Sequence, residues 1–164
     1  MGNIGSELRL VVESTAVRLG SISEEASQTT RVDGQWSAKQ VLGHLIDSAA
    51  HNHQRFVRAQ FTQDLVFAGY DQEQWIRIQR YDDIEWSALV AFWRAYNLHL
   101  AHVIEGIPDD VLTQPRMPHA LDKIAWRPVP ADQPATLLYL IQDYMAHLRE
   151  HLRQLFTVAK SESR

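Results

Sequence analysis

Leu137, Ile141, Tyr144, Leu148, His151 and Leu155 recur at alternating spacings of four and three residues near the end of the chain. That alternation is the seam of a helix that buries one stripe against neighbouring helices. An isolated helix has nothing to bury the stripe against, so other segments must supply the partners. Three do. The spacing predicts a first helix from about Ser6 to Ile22, with Leu8, Val11, Val12, Thr15 and Leu19 as its stripe, and a second from Ala38 to about Phe61. A third runs from about Asp83 to Gly106 on Leu89, Trp93, Tyr96, Leu100, Val103 and Ile107. The seam helix itself starts near Pro134, a favourable first-turn residue, and continues to about Ala159. The expected fold is all-α, a four-helix bundle with long decorated connections, and residues 1–164 are expected to form one domain.

Local signals set the boundaries. Ser37 is a natural N-cap with Gln40 at the third helical position, a capping box, and Trp36 and Val41 are placed as its hydrophobic staple. Gly106 and Pro108 stop the third helix. Between Thr62 and Asp82 a short helix is expected near Asp71 to Arg80, capped by Asp71. The connection from Ile107 to Gln133 is proline-rich and lacks helical period, and connections of that length are often functional.

The composition removes several classes of chemistry. There is no cysteine, which excludes disulfides, thiolate metal sites and a cysteine nucleophile. Any metal must be held by His, Asp or Glu. A net charge of -4 argues against a nucleic-acid partner. No apolar run of about 18 residues predicts a membrane span. The first residues show no cationic stretch followed by an apolar one, so a cytoplasmic location is expected. A small-molecule substrate and possible pairing into a homodimer complete the expectation.

There are eight histidines, and two of them, His147 and His151, stand four residues apart on the last helix. That spacing puts both imidazoles on one face, where a single metal ion can accept a nitrogen from each. Such a pair alone is common on exposed surfaces, but His151 falls on the apolar seam, and an imidazole buried there needs a partner. A third ligand would come from His44, His51, His53, His99, His102 or His119. His44 lies on the apolar flank of the second helix with Asp47 and Ser48 on its side, the pattern of an inward polar pocket. His51, a turn further, reads as solvated surface or pocket mouth, and His53 as surface. His99 flanks Tyr96 and Val103 and reads as half buried, satisfied by a carbonyl. His102 points away from the seam. His119 lies in the proline-rich connection and could close over a pocket. The five tryptophans read as core or staple residues, with Trp126 also able to face a ligand. Arg55 and Arg58 are explained by the dipole at the end of their helix.

The segments Trp36-Ser-Ala-Lys-Gln-Val-Leu-Gly-His44-Leu-Ile-Asp47-Ser48, Asn52-His-Gln-Arg55-Phe56, Tyr70-Asp71-Gln-Glu-Gln-Trp75 and Tyr144-Met-Ala-His147-Leu-Arg-Glu-His151-Leu-Arg-Gln154 occur in this order over about Gln35 to Leu155. In order and separation the chain resembles the DinB/YfiT-like superfamily of four-helix-bundle metalloenzymes, and within it the YfiT-type branch. The resemblance implies that His44, His147 and His151 are metal ligands, for zinc or nickel. It also implies reactions that include thiol-dependent transfers and isomerisations with low-molecular-weight thiols. Ala49 and the run Tyr144, Met145, Ala146 stand where that branch carries histidines, so the resemblance extends to the ligands and not to a substrate.

Three imidazoles leave a divalent ion its full charge and an open position, which lowers the pKa of a water or thiol bound there. Two reactions are expected on that basis, hydrolysis of a small ester, amide or related bond, and S-transfer from a low-molecular-weight thiol. Asp47 and Asp143, each about one turn from a ligand histidine, are candidates for orienting the rings or shuttling protons. The alternative is a non-catalytic bundle that serves as a dimerisation or interaction module.

Overall fold

The computed structural model describes residues 3–30 and 34–159. Four long helices carry the fold: α1 (Ile4–Leu19), α3 (Ala38–Arg58), α5 (Trp86–Glu105) and α8 (Leu137–Ala159). The short helices α2 (Glu24–Gln28), α4 (Gln72–Gln79), α6 (Asp109–Thr113) and α7 (Leu121–Ile124), with a 3₁₀ turn over Tyr81–Asp83, decorate the connections. Among the described residues there is no strand, only isolated β-bridges.

α1 packs along α5, and α3 packs along both α5 and α8. Side chains close the ring between α8 and α1. Arg149 reaches Glu7 at 2.5 Å, and the Arg18 guanidinium lies 3.7 Å over the Phe156 ring. α1 therefore pairs with α5 rather than with the next long helix, α3, and α8 pairs with α3 rather than with the preceding long helix, α5. Gly5 makes the α1–α5 approach possible, since a Cβ there would stand 2.7 Å from the Ala101 carbonyl oxygen. Inside the ring Leu8, Leu19, Leu42, Leu45, Phe56, Trp93 and Leu100 are fully buried.

The expected capping box at Ser37 is present in both directions. The Ser37 hydroxyl accepts from the Gln40 amide at 3.2 Å, and the Gln40 side chain accepts from the Ser37 amide at 3.0 Å. Asp71 caps α4 as expected, accepting from the Gln74 amide at 3.1 Å.

Other boundaries move for local reasons. The last helix begins at Leu137 rather than near Pro134, because Ala135 exchanges two backbone hydrogen bonds with Arg116 and is held extended. The Thr136 hydroxyl then accepts from the Tyr139 amide. α5 begins at Trp86 rather than Asp83, since Tyr81–Asp83 forms a 3₁₀ turn and Ile84 is extended.

α2 was not foreseen. It is five residues long, and tertiary contacts support it. Glu24 pairs with the buried Lys39 ammonium and accepts from the Trp86 amide at 2.7 Å, tying α2, α3 and α5 together. The proline-rich connection is ordered by Arg116, which is buried and donates to the carbonyls of Ala59 and Val111.

Candidate metal centre

α3 carries a polar stripe through the bundle. His44, Ser48, Asn52 and Arg55 follow one another at spacings of four, four and three, so they share a face. All four are buried, with His44 only 1% exposed. α8 faces this stripe with Asp143, His147 and His151.

The three histidines His44, His147 and His151 meet where the two helices pack. One nitrogen from each lies within 4.8 Å of the others. The Nε2 atoms of His44 and His147 are 3.2 Å apart. The ring centroids are separated by 5.1, 4.7 and 4.4 Å. Burial first, and then the neighbouring imidazoles, lower the pKa of His44 to about 3. Burial and His151 lower His147 to about 4. His151 is also lowered by burial, against the opposing pull of Gln154 and Glu150. All three rings are neutral at neutral pH, the protonation state that offers nitrogen lone pairs to a metal.

Two tryptophans wall the cluster. Trp36 lies 5.1 Å from the His44 ring and 6.4 Å from that of His151, and Trp126 lies 6.2 Å from His147. Trp86 and Trp93 belong to the core, as expected. The spacing of Trp36 predicts a staple or core residue; nothing in it signals that the ring reaches across to α8.

A cavity of about 230 Å³ opens beside His44 and His147. Ser48, Asn52, Arg55, Tyr70, Lys123 and Trp126 are among its walls. Arg55 thus points into the cavity, where the helix-dipole reading had placed nothing but a favourable charge. The stripe at spacings of four, four and three was the available signal.

Neither aspartate hydrogen-bonds a histidine of the cluster. Asp47 accepts from the Tyr81 hydroxyl at 2.6 Å and from the Gln79 amide, and burial raises its pKa to about 6. Asp143 accepts from the backbone amides of Trp126 and Arg127 at 2.7 and 2.8 Å, holding the wall that carries Trp126. The Nδ1 atoms of His44 and His151 are buried without a hydrogen-bond partner among the described residues.

The remaining histidines lie outside the cluster. His51 stacks on Tyr70 at 3.9 Å with the rings 8° from parallel, beside Trp75. His53 packs against His99 and Tyr96. His99 is exposed rather than half buried, because the core face of α5 runs through Asn97, Leu100 and Ala101. His102 is exposed as expected. His119 does not close over the cavity. Its Nε2 lies 2.6 Å from the Gln133 carbonyl and its Nδ1 accepts from the Leu121 amide, so it braces the connection before α7.

The sequence model of the DinB superfamily matches residues 7–155. The structure is similar to that of YfiT from Bacillus subtilis, described as a probable metal-dependent hydrolase with an unusual four-helix bundle topology. That similarity has a TM-score of 0.74 at 17% sequence identity and covers 95% of this chain and 86% of that one. No curated protein matches the chain.

Proposed function

The chain belongs to the DinB superfamily, and from that premise we propose that it is a divalent-metal-dependent enzyme, a hydrolase of small molecules, with His44, His147 and His151 as the metal ligands. The observation that carries the reading is the convergence of three neutral imidazole nitrogens within 4.8 Å, with His44 and His147 on the wall of a cavity. The donor set suits a metal. Zinc–nitrogen bonds of about 2.0–2.1 Å in tetrahedral geometry require ligand nitrogens about 3.3 Å apart. The His44–His147 separation is 3.2 Å. Imidazole suits zinc and nickel alike.

An interaction module has no use for such a cluster. Apolar residues at these positions would pack α3 against α8 without burying imidazole nitrogens that lack partners. The likeness to YfiT supports a hydrolase over other metal-dependent activities.

When bound, the ion supplies Lewis acidity and lowers the pKa of a water in its open position. The protein's own residues do the rest. His44 is locked by burial on α3, while His147 and His151 are set one turn apart on α8, so the donor geometry is preorganised. Trp36 packs beside His44 and Trp126 beside His147, so aromatic rings flank the cluster. Asp143 fixes the Trp126 wall through two backbone amides. Ser48 and Asn52 offer neutral polar groups inside the cavity.

The test begins with elemental analysis of protein purified without a nickel column. About one equivalent of zinc or nickel is expected, reduced at least tenfold in His147→Ala. Unchanged metal content in that variant would refute the ligand set. Turnover of a small ester is then measured with and without a low-molecular-weight thiol. Turnover indifferent to thiol supports hydrolysis, and strict thiol dependence would replace it with S-transfer.

A further inference from the structure

We infer that the substrate of this centre carries a carboxylate, and that Arg55 on the cavity floor is the group that receives it. This deepens the proposed function and rests on it for the reaction, though not for the binding event.

Arg55 is an unusual residue to find at this place. Its side chain is buried, yet it forms no ion pair among the described residues. Its guanidinium donates to the Ala68 carbonyl at 3.0 Å and to the Asn52 side-chain oxygen at 3.4 Å, both neutral acceptors. The nearby Tyr70 hydroxyl supplies no negative charge, because burial pushes its pKa up and keeps it protonated. A cation taken out of water without a counterion is costly, and two neutral hydrogen bonds offset only part of that cost. An arginine retained under those conditions, facing a cavity, is arranged to meet an anion that arrives from outside. Guanidinium has the planar fork that matches a carboxylate, with five donors of which only part are engaged here.

The surroundings agree in sign. Lys123, which is exposed, also lines the cavity and forms no ion pair among the described residues. The one carboxylate on the cavity wall, Asp143, has its two oxygens engaged by the Trp126 and Arg127 amides and is directed to that loop. The cavity wall therefore carries two cations without an ion-pair partner against one carboxylate turned to the loop, with the histidine cluster at its other end. A carboxylate on Arg55 would hold the rest of a small substrate between the polar groups of Ser48 and Asn52 and the imidazoles of His44 and His147. Arg55 here is a binding residue, and it orients the molecule rather than reacting with it.

The experiment uses the full chain, with benzoate as the probe and benzamide as its neutral counterpart of the same shape. Binding is followed by nuclear magnetic resonance at the Arg55 side-chain N–H and the Trp126 indole N–H. It is done first on metal-free protein, so that a wrong metal assignment does not touch the result. Benzoate is expected to shift both signals and to bind at least tenfold more tightly than benzamide. Arg55→Gln should remove that preference and Arg55→Lys should restore part of it. If the buried substitution prevents folding, Lys123→Ala on the exposed wall carries the test, with an expected loss of about threefold for benzoate alone. Equal binding of benzoate and benzamide, or a preference untouched by either substitution, would overturn the inference. Repeating the titration with one equivalent of zinc separates the two proposals. Anion binding without zinc uptake would sink the metal centre and leave the carboxylate site standing, and zinc uptake without anion preference would do the reverse.

Discussion

Three imidazoles crowded this closely would repel one another as cations, and burial has already removed that option. The folded protein holds His44 at about 3 and His147 at about 4, with His151 lowered as well. In the unfolded chain each would accept a proton near the usual value of about 6.5. As pH falls below that point the unfolded state binds protons that the folded state refuses, so stability is lost. Asp47 acts in the opposite sense. Burial raises it to about 6, so its protonated form stabilises the folded state at low pH, and that contribution is lost as pH rises from about 3.8 to about 6. Melting of the metal-free protein, followed by circular dichroism, is expected to fall between pH 7 and 6, where only the histidines contribute. It should keep falling below pH 6, but less steeply than the histidines alone would give, because Asp47 offsets part of the loss. Asp47→Asn removes the offset and should steepen the fall between pH 6 and 4; an unchanged profile would contradict the assignment.

α3 decides more of the site than any other helix, and its design is partly visible in its spacing. The capping box at Ser37 sets the start of the helix, and therefore its phase, and the phase sends His44, Ser48, Asn52 and Arg55 inward together. Gly43 has a different task. A Cβ at that position would lie 2.1 Å from the Tyr81 ring, so only glycine lets Tyr81 lie against the helix and donate to Asp47. Gly43→Ala is expected to destabilise the protein by about 1–3 kcal/mol despite alanine's better helix propensity, because the ring must move. Urea melts with the matched variant Gly43→Ala/Tyr81→Leu check this, since shortening Tyr81 should recover part of the loss. α5 shows where spacing misleads. Its three-four alternation puts Tyr96 and Val103 on the seam, yet Asn97 is fully buried, donating to the Trp93 carbonyl and accepting from the Tyr144 hydroxyl at 2.5 Å. α5 packs against both α1 and α3, so its buried face is wider than one seam, and which polar residue fills the extra width depends on the partner across from it.

The bundle as a whole joins a rigid pair of helices to a connection that must be held in place. Asp143 does the holding, at the point where the residues after α7 turn back toward the cavity. Asp143→Asn removes the charge from two amide hydrogen bonds, each worth about 1.5–3 kcal/mol when charge-assisted. Amide hydrogen exchange at Trp126 and Arg127 is expected to accelerate at least tenfold, with α1 and α5 unchanged. Uniform acceleration across the bundle would mean that Asp143 stabilises the whole fold rather than this wall. Much of the architecture was legible in the amino-acid order because helix period, capping chemistry and proline content act over a few residues, and each residue carries its own share of the signal. The four long helices, the Ser37 and Asp71 caps and the inward phase of His151 follow from such local rules. The meeting of His44 with His147, 103 positions apart in the chain, does not. Neither does the place of Trp36 beside the histidines, the retreat of Asp47 to Tyr81, or the exposure of Arg55 to a cavity instead of solvent. Those depend on which helix stands opposite which, and close packing across the bundle, rather than any local preference, selects among the arrangements that the same four stripes would allow.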